Sequence, residues 1–294
     1  MVLLFHSQEC TPYICAVNRI ISIIGKSLNT LSILAPKTAG KIAFKLFCTP
    51  RKGRYTERTQ KYVDKADDKE PFSCSSGRIQ AYHWNPTGSK KVLLLHGWES
   101  NSQRWRFIIN RLLESNAHII SIDAPAHGGS DGKIFTVPSY AEAIKQVTIK
   151  HNPDVIIGHS IGGGSLLYAL SEYPELNPER IVLMGVPKTL KQMIDNFASI
   201  LQLSERAIGG IGKHFRSSYN MTIEAQDYSA HALKVKAKTL VIHDRIDKIA
   251  PYQNGVDIAA KINDVTFMTT DNLGHSLQDK EVYAEIINFI KEVG

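Results

Sequence analysis

The chain has 294 residues, 43% hydrophobic and 21% charged, the profile of a soluble globular protein with one large α/β domain plus additions, or two small domains. Its formal net charge of +7 is uneven: residues 1–66 carry 11 Lys/Arg against 3 Asp/Glu, whereas residues 67–294 carry 24 against 25. A near-neutral main body argues against a nucleic-acid groove across it. The four cysteines, Cys10, Cys15, Cys48 and Cys74, show neither Cys-x-x-Cys nor Cys/His zinc spacing. They suggest no metal site and no disulfide scaffold, and their scarcity fits a reducing compartment.

In the first 66 residues, Ile20, Ile21, Ile24, Leu28 and Leu31 recur at helical spacing, and Pro36 is placed to open a second helix. On that helix Lys37, Lys41 and Lys45 fall on one face, with Ala39, Ile42, Ala43, Leu46 and Phe47 on the other. No apolar run approaches the ~18 residues of a membrane span. Met1 to Asn18 contains no Lys or Arg to make a secretory n-region. The expectation is a basic helical extension, either packed on the main domain or resting on anionic lipid. Lys52 to Lys69 reads as a polar linker.

From Phe72 strands dominate. Gly77 to Trp84 alternates as an antiparallel edge strand does. Lys91 to Leu95, His118 to Ile122, Val155 to Ile157, Arg180 to Met184, Thr239 to Ile242 and Val265 to Met268 are short apolar runs, the signature of strands buried on both faces. Helices are expected at Trp105–Leu113, Tyr140–Lys150, from Ser165 onward, and at Val282–Val293. The alternation implies a mostly parallel, doubly wound sheet. The 54 residues between Met184 and Thr239 hold no convincing strand, but Met193, Ile194, Phe197, Ile200, Leu201 and Leu203 lie at helix-like spacing before Gly209, Gly210 and Gly212. We read residues 187–235 as a helical cap over the C-terminal edge of the sheet. The domain boundaries are then an extension and linker over 1–66 and a main domain over 67–294.

The chemistry centres on Gly158-His159-Ser160-Ile161-Gly162, between a buried strand and a helix. In that context Gly-x-Ser-x-Gly is a nucleophile elbow, with flanking glycines that remove colliding side chains. A serine hydroxyl needs a base, and the base needs an acid to orient it. In this topology both come after the serine, acid first, on loops after strands. His275, in Asn272-Leu273-Gly274-His275-Ser276, takes the base position. Asp247 is preferred to Asp244 as the acid because it lies where the loop has left its strand; Asp244 is assigned to organising that loop. The backbone N–H groups of Ile161 and Trp98 are the expected oxyanion donors, with Gly97 allowing the chain to approach. Trp98, His159, Met193 and Phe197 are the candidate substrate contacts.

His96-Gly97-Trp98, Asp123-Ala124-Pro125-Ala126-His127-Gly128-Gly129-Ser130, the elbow, Asp247 and Gly274-His275 together resemble the α/β-hydrolase superfamily over residues 72–294. The resemblance implies an eight-stranded sheet, a Ser-Asp-His triad, a helical cap after the sixth strand, and no cofactor or metal. Relatives usually have Gly where Ala126 stands, which bears on the shape of that loop. Serine at the nucleophile position speaks against dehalogenase and epoxide hydrolase relatives. The expected activity is serine-dependent hydrolysis of a small-molecule carboxylic ester with a small to medium hydrophobic acyl group. Thioesterase, amidase and acyltransferase chemistry are alternatives on the same triad, and a non-catalytic membrane-associated binding protein is a further one. The expected location is cytoplasmic, with peripheral contact at the inner membrane surface through the N-terminal helices.

Overall fold

The computed structural model describes residues 12–291, with side chains from residue 18. Cys10, the side chain of Cys15 and the last residues of the closing helix lie outside the described residues; Cys48 and Cys74 are free thiols. In chain order come α1 (Pro12–Leu34), α2 (Pro36–Cys48), α3 (Glu57–Val63), β1 (Asp68–Cys74), β2 (Gly77–Trp84), β3 (Lys90–Leu95), α4 (Arg106–Glu114) and β4 (Ala117–Ile122). Next are α5 (Val137–His151), β5 (Val155–His159), α6 (Ile161–Glu172), β6 (Arg180–Met184), α7 (Leu190–Leu201) and α8 (Glu205–Tyr219). The chain closes with α9 (Tyr228–His231), β7 (Lys238–Asp244), α10 (Tyr252–Ala259), β8 (Val265–Thr270) and α11 (Lys280–Lys291). Among the described residues no helix is long and apolar enough to cross a membrane.

Two compact units form. One joins the chain up to Arg51 with Thr189–Gln226; the other joins Lys52–Lys188 with the chain from Asp227. The second unit holds an eight-stranded sheet in the order β1-β2-β4-β3-β5-β6-β7-β8, antiparallel through β1, β2 and β4 and parallel from β4 to β8. Side chains alternate along each strand. Val92 and Leu94 therefore join Ile108, Ile109 and Leu112 of α4 and Val282, Ile286 and Phe289 of α11 in one cluster. Leu93, Leu95, Ile120, Ile156 and Ile181, of opposite parity, are as completely buried, so both faces are covered. Each such side chain contributes roughly 1.5–3 kcal/mol relative to exposure.

The stretch from Lys52 to Lys69 is not a linker. Thr56 and Thr59 form a reciprocal cap that starts α3, and Val63 is fully buried in the core cluster. Arg54 donates to the carbonyls of Gly128 (3.2 Å), Ser130 and Gly132 (2.8 Å), and Tyr55 donates to Asp123 Oδ1 at 3.0 Å. Nor is Gly77–Trp84 an edge strand. Charged β1 takes that position, leaving Ile79 to Trp84 buried between β1 and β4. Alternation survives there because its polar members are hydrogen-bonded: Gln80 Nε2 donates to the carbonyl of Ala81 at 2.8 Å.

In the other unit, α1 and α2 pack with α7 and α8. Close backbone approach needs glycine at two places: a Cβ on Gly40 would lie 2.3 Å from Gly210 O, and one on Gly25 would lie 1.8 Å from Leu201 O. Gly209, Gly210 and Gly212 fall inside α8, where Gly210 serves this crossing. Phe197 stacks edge-on with Phe47 at 5.4 Å, and Met193 is half-buried on the same helix. The residues inserted between β6 and β7 that belong to this unit are fewer than 187–235, because the chain from Asp227 onward, α9 included, groups with the sheet.

Candidate active site

β5 delivers the chain to Ser160, whose φ of 54° and ψ of −129° lie outside the regions ordinary side chains adopt. A Cβ on Gly158 would lie 2.6 Å from Gly163 Cα, and one on Gly162 would lie 2.4 Å from Leu95 O, so both flanking positions require glycine. The Ser160 N–H donates to Met184 O at 2.8 Å, tying the turn to the end of β6. Ile161 opens α6, so its N–H belongs to the first turn, which has no partner within the helix.

His275 sits in a 3₁₀ turn, Gly274–Ser276, bounded by Gly274 at φ +60° and Leu277 at φ +52°. Its Nδ1 is 2.7 Å from Asp247 Oδ2 and its Nε2 is 2.9 Å from Ser160 Oγ. Since a carboxylate only accepts, Nδ1 carries the proton and Nε2 is left to accept from the serine hydroxyl. Asp247 is buried, and its Oδ1 accepts from the N–H groups of Ile249 (2.8 Å) and Ala250 (3.0 Å). Asp244 closes β7 and points elsewhere: its carboxylate accepts from Ile246 N, Thr270 Oγ1 and Leu273 N, holding the loops that carry Asp247 and His275. The structure thus brings together Ser160, His275 and Asp247, 115 and 28 residues apart in sequence.

Supports for this arrangement come from residues whose roles were not legible. His159 is buried, and its Nε2–H donates to the carbonyl of His275 at 2.8 Å, with the rings 4.9 Å apart. Burial pushes its pKa well below the usual histidine range, so the ring stays neutral. His159, an expected substrate contact, thus holds the loop that carries the base. Arg104 Nη2 donates to Ser276 O at 2.6 Å, bracing the same loop from α4's leading turn. Gly185, at φ +57° after β6, lies beside the acid–base pair: a Cβ there would be 3.4 Å from His275 Nδ1.

The loop after β3 is fixed by two more neutral histidines. His96 Nδ1–H donates to Gly97 O at 2.8 Å and its Nε2 accepts from Ala124 N–H at 2.9 Å. His127 Nδ1–H donates to Pro125 O at 2.9 Å and its Nε2 accepts from Glu99 N–H at 3.0 Å. Burial lowers the first to about 4 and the second to about 3. Between them stands Gly97, where a Cβ would meet Ser160 Cβ at 2.9 Å. Trp98 comes next, its ring packed edge-on against His127 and Phe135 at 5.4 and 5.6 Å. Behind the loop, buried Asp123 accepts from Ser102 N and Oγ and from Gly129 N, all at 2.8 Å. Ala126 occupies φ +66°, the left-handed region, where glycine would carry no side-chain strain.

The sheet order agrees with comparisons to known proteins. A family model described as the alpha/beta hydrolase fold matches residues 90–210. The chain has the alpha/beta hydrolase fold. It is 32% identical to a serine hydrolase-like protein of Danio rerio over 41% of this chain and 39% of that protein, so it spans well under half of that relative. An AB hydrolase superfamily protein of Bacillus subtilis is 22% identical over 67% of this chain and 90% of its own length. Among solved structures, the esterase EaEST from Exiguobacterium antarcticum superposes with a TM-score of 0.60 at 19% identity, covering 76% of this chain and all of that one. The chain is thus similar to proteins of the serine hydrolase and esterase kind.

Proposed function

We propose that the protein is a serine hydrolase that cleaves carboxylic esters of small to medium hydrophobic acyl groups. The observation that carries the reading is the continuous chain from Asp247 Oδ2 through His275 to Ser160 Oγ, at 2.7 and 2.9 Å. Ser160 attacks the acyl carbon while His275 Nε2 takes its proton; the imidazolium, oriented by Asp247, returns that proton to the leaving alkoxide. Water then attacks the acyl-enzyme by the reverse sequence. The N–H groups of Ile161 and Trp98 hold the oxyanion, and losing one such donor costs about 3–4 kcal/mol of transition-state stabilisation. The acyl preference rests on the apolar character of the inserted sequence around Met193 and Phe197. Hydrolysis of p-nitrophenyl esters from acetate to decanoate, alongside matched thioesters and anilides, tests it. Fastest turnover on short to medium esters supports the proposal; faster turnover of thioesters or anilides transfers the assignment to those classes.

A second proposal concerns residues 18–48. Ile20, Ile23, Ile33, Leu34 and Ile42 are exposed, and Lys37, Lys41 and Lys45 are exposed beside them. Apolar side chains next to lysines suit the surface of an anionic bilayer, and we propose peripheral contact of the helices there, on the cytoplasmic side. Co-flotation of the full chain with phosphatidylserine vesicles tests it against a variant with Ile20, Ile23, Ile33 and Leu34 changed to Ser. Equal flotation of both removes the idea.

A further inference from the structure

A second group of chemically active side chains lies at the antiparallel end of the sheet. Glu70 on β1, His83 on β2, His118 on β4 and His151 at the end of α5 converge on one face. Glu70 Oε2 is 3.1 Å from His83 Nε2 and 2.7 Å from His151 Nε2. His83 Nδ1 is 3.1 Å from His118 Nε2. The strands β4 and β5 run parallel by way of β3, and Ser160 stands just beyond the C-terminal end of β5. His118 lies near the N-terminal end of β4, so the cluster sits at the edge of the sheet opposite the serine and takes no part in the proposed ester cleavage.

We propose that Glu70, His83 and His151 form a binding site for a divalent transition metal, of which Zn²⁺ is the best match. Two imidazoles and one carboxylate are a donor set that Zn²⁺ favours, with water completing a tetrahedron. Metal–donor bonds of about 2.0–2.1 Å set donor atoms about 3.3 Å apart in that geometry. Two of the three donor–donor distances, 3.1 and 2.7 Å, lie about 0.2 and 0.6 Å short of that value. One donor atom from each of the three side chains lies within 4.8 Å of the others, so the remaining adjustment is a rotation of side chains and not of backbone. Coordination through Nε2 leaves the ring proton of His83 on Nδ1, where it donates to His118 Nε2. A hydrogen bond of that kind to a neighbouring acceptor is what orients metal-bound histidines.

Access and burial also fit. His83 and His118 are buried, while Glu70 and His151 each keep 17% of the side chain exposed, an opening for the water ligand. One feature opposes the metal: Lys150 pairs with the other carboxylate oxygen of Glu70. Its side chain is 59% exposed, so it can swing into solvent when a dication arrives. Because the donors come from β1, β2 and α5, the ion would fasten the edge hairpin to the helix that covers it.

The test uses untagged full-length protein stripped with EDTA, titrated with ZnCl₂ by calorimetry and melted with and without the metal. The expected results are one high-affinity Zn²⁺ per chain and a melting temperature raised by about 5 °C at a hundredfold excess over Kd. His151→Asn and Glu70→Gln each weaken binding at least tenfold. Lys150→Met tightens it severalfold, a result that a purely structural Glu–His network does not produce. Ser160→Ala binds as the wild type does, which separates this site from the serine site. No binding by the wild type overturns the proposal, as does undiminished binding by both the His151→Asn and Glu70→Gln chains.

Discussion

Replacing Asp247 by Asn separates the two acids of the β7 loop and tests how the base is oriented. The amide keeps an oxygen for the Ile249 and Ala250 N–H groups, so the loop keeps its shape. Its nitrogen, however, now faces His275 Nδ1 at the 2.7 Å once held by the carboxylate. Two N–H groups cannot share that line, so the ring moves its proton to Nε2. That nitrogen, 2.9 Å from Ser160 Oγ, then donates where it must accept, and the serine cannot be deprotonated. The same change in an unrelated serine protease lowers kcat by about 10⁴, equivalent to about 5.5 kcal/mol at 1.36 kcal/mol per tenfold. Asp244→Asn differs: it weakens the acceptor for Thr270 and Leu273 and costs about 1–2 kcal/mol of stability, with kcat falling less than tenfold. The assay is kcat and KM on p-nitrophenyl butyrate, with near-ultraviolet circular dichroism to establish folding. If Asp247→Asn stays within tenfold of wild type, or folded Asp244→Asn loses as much as it does, the assignment of the acid is wrong.

The same geometry sets other outcomes. Gly97→Ala pushes a Cβ to 2.9 Å from Ser160 Cβ and displaces the Trp98 N–H, so kcat falls about 10²-fold or more while the melting temperature changes little; unchanged kcat refutes that oxyanion assignment. Ala126→Gly relieves a left-handed alanine at φ +66° and raises stability by about 0.5–1 kcal/mol, after the entropy of glycine offsets part of the gain; a chemical-denaturation curve shifted the other way contradicts it. His96 and His127 are held neutral with folded values of about 4 and 3, both below the 6.5 of an ordinary histidine. Below pH 6.5 the unfolded chain binds protons that the folded chain refuses, so stability is complete above 6.5 and is lost as pH falls toward 4. The double variant His96→Gln/His127→Gln, which keeps an acceptor in each place, shows a flatter melting profile over that range; an unchanged slope assigns the acid sensitivity to other groups.

The parallel strands were legible because both of their faces are covered, so Leu93-Leu94-Leu95 and Ile181-Val182-Leu183-Met184 need no polar alternation. β1 was not: Asp68-Lys69-Glu70-Pro71 carries the charges and proline that suit a sheet edge but mask a strand. α3 hides because its cap pairs Thr56 with Thr59 in place of the usual Glu or Gln. α10 was missed because Asn254 and Gly255 are poor helix formers; Gly255 is there because a Cβ would lie 2.5 Å from His243 Nδ1. Gly40 against Gly210 spans too much sequence for any local pattern to register. At the candidate site, order and strand-end position were enough to select Ser160, Asp247 and His275, since the fold puts those loops at one edge. His96, His127 and His159 stood out as histidines, yet their work depends on which nitrogen holds the proton. Only their partners reveal that.

The most direct measurement is the site of covalent capture by a fluorophosphonate. Wild-type protein treated with the probe, digested and mapped by mass spectrometry should carry a single adduct on Ser160, within the turn at φ 54°. Ser160→Ala should carry none, and His275→Ala should label at least a hundredfold more slowly. An adduct on another residue, or labelling undiminished in Ser160→Ala, contradicts the account.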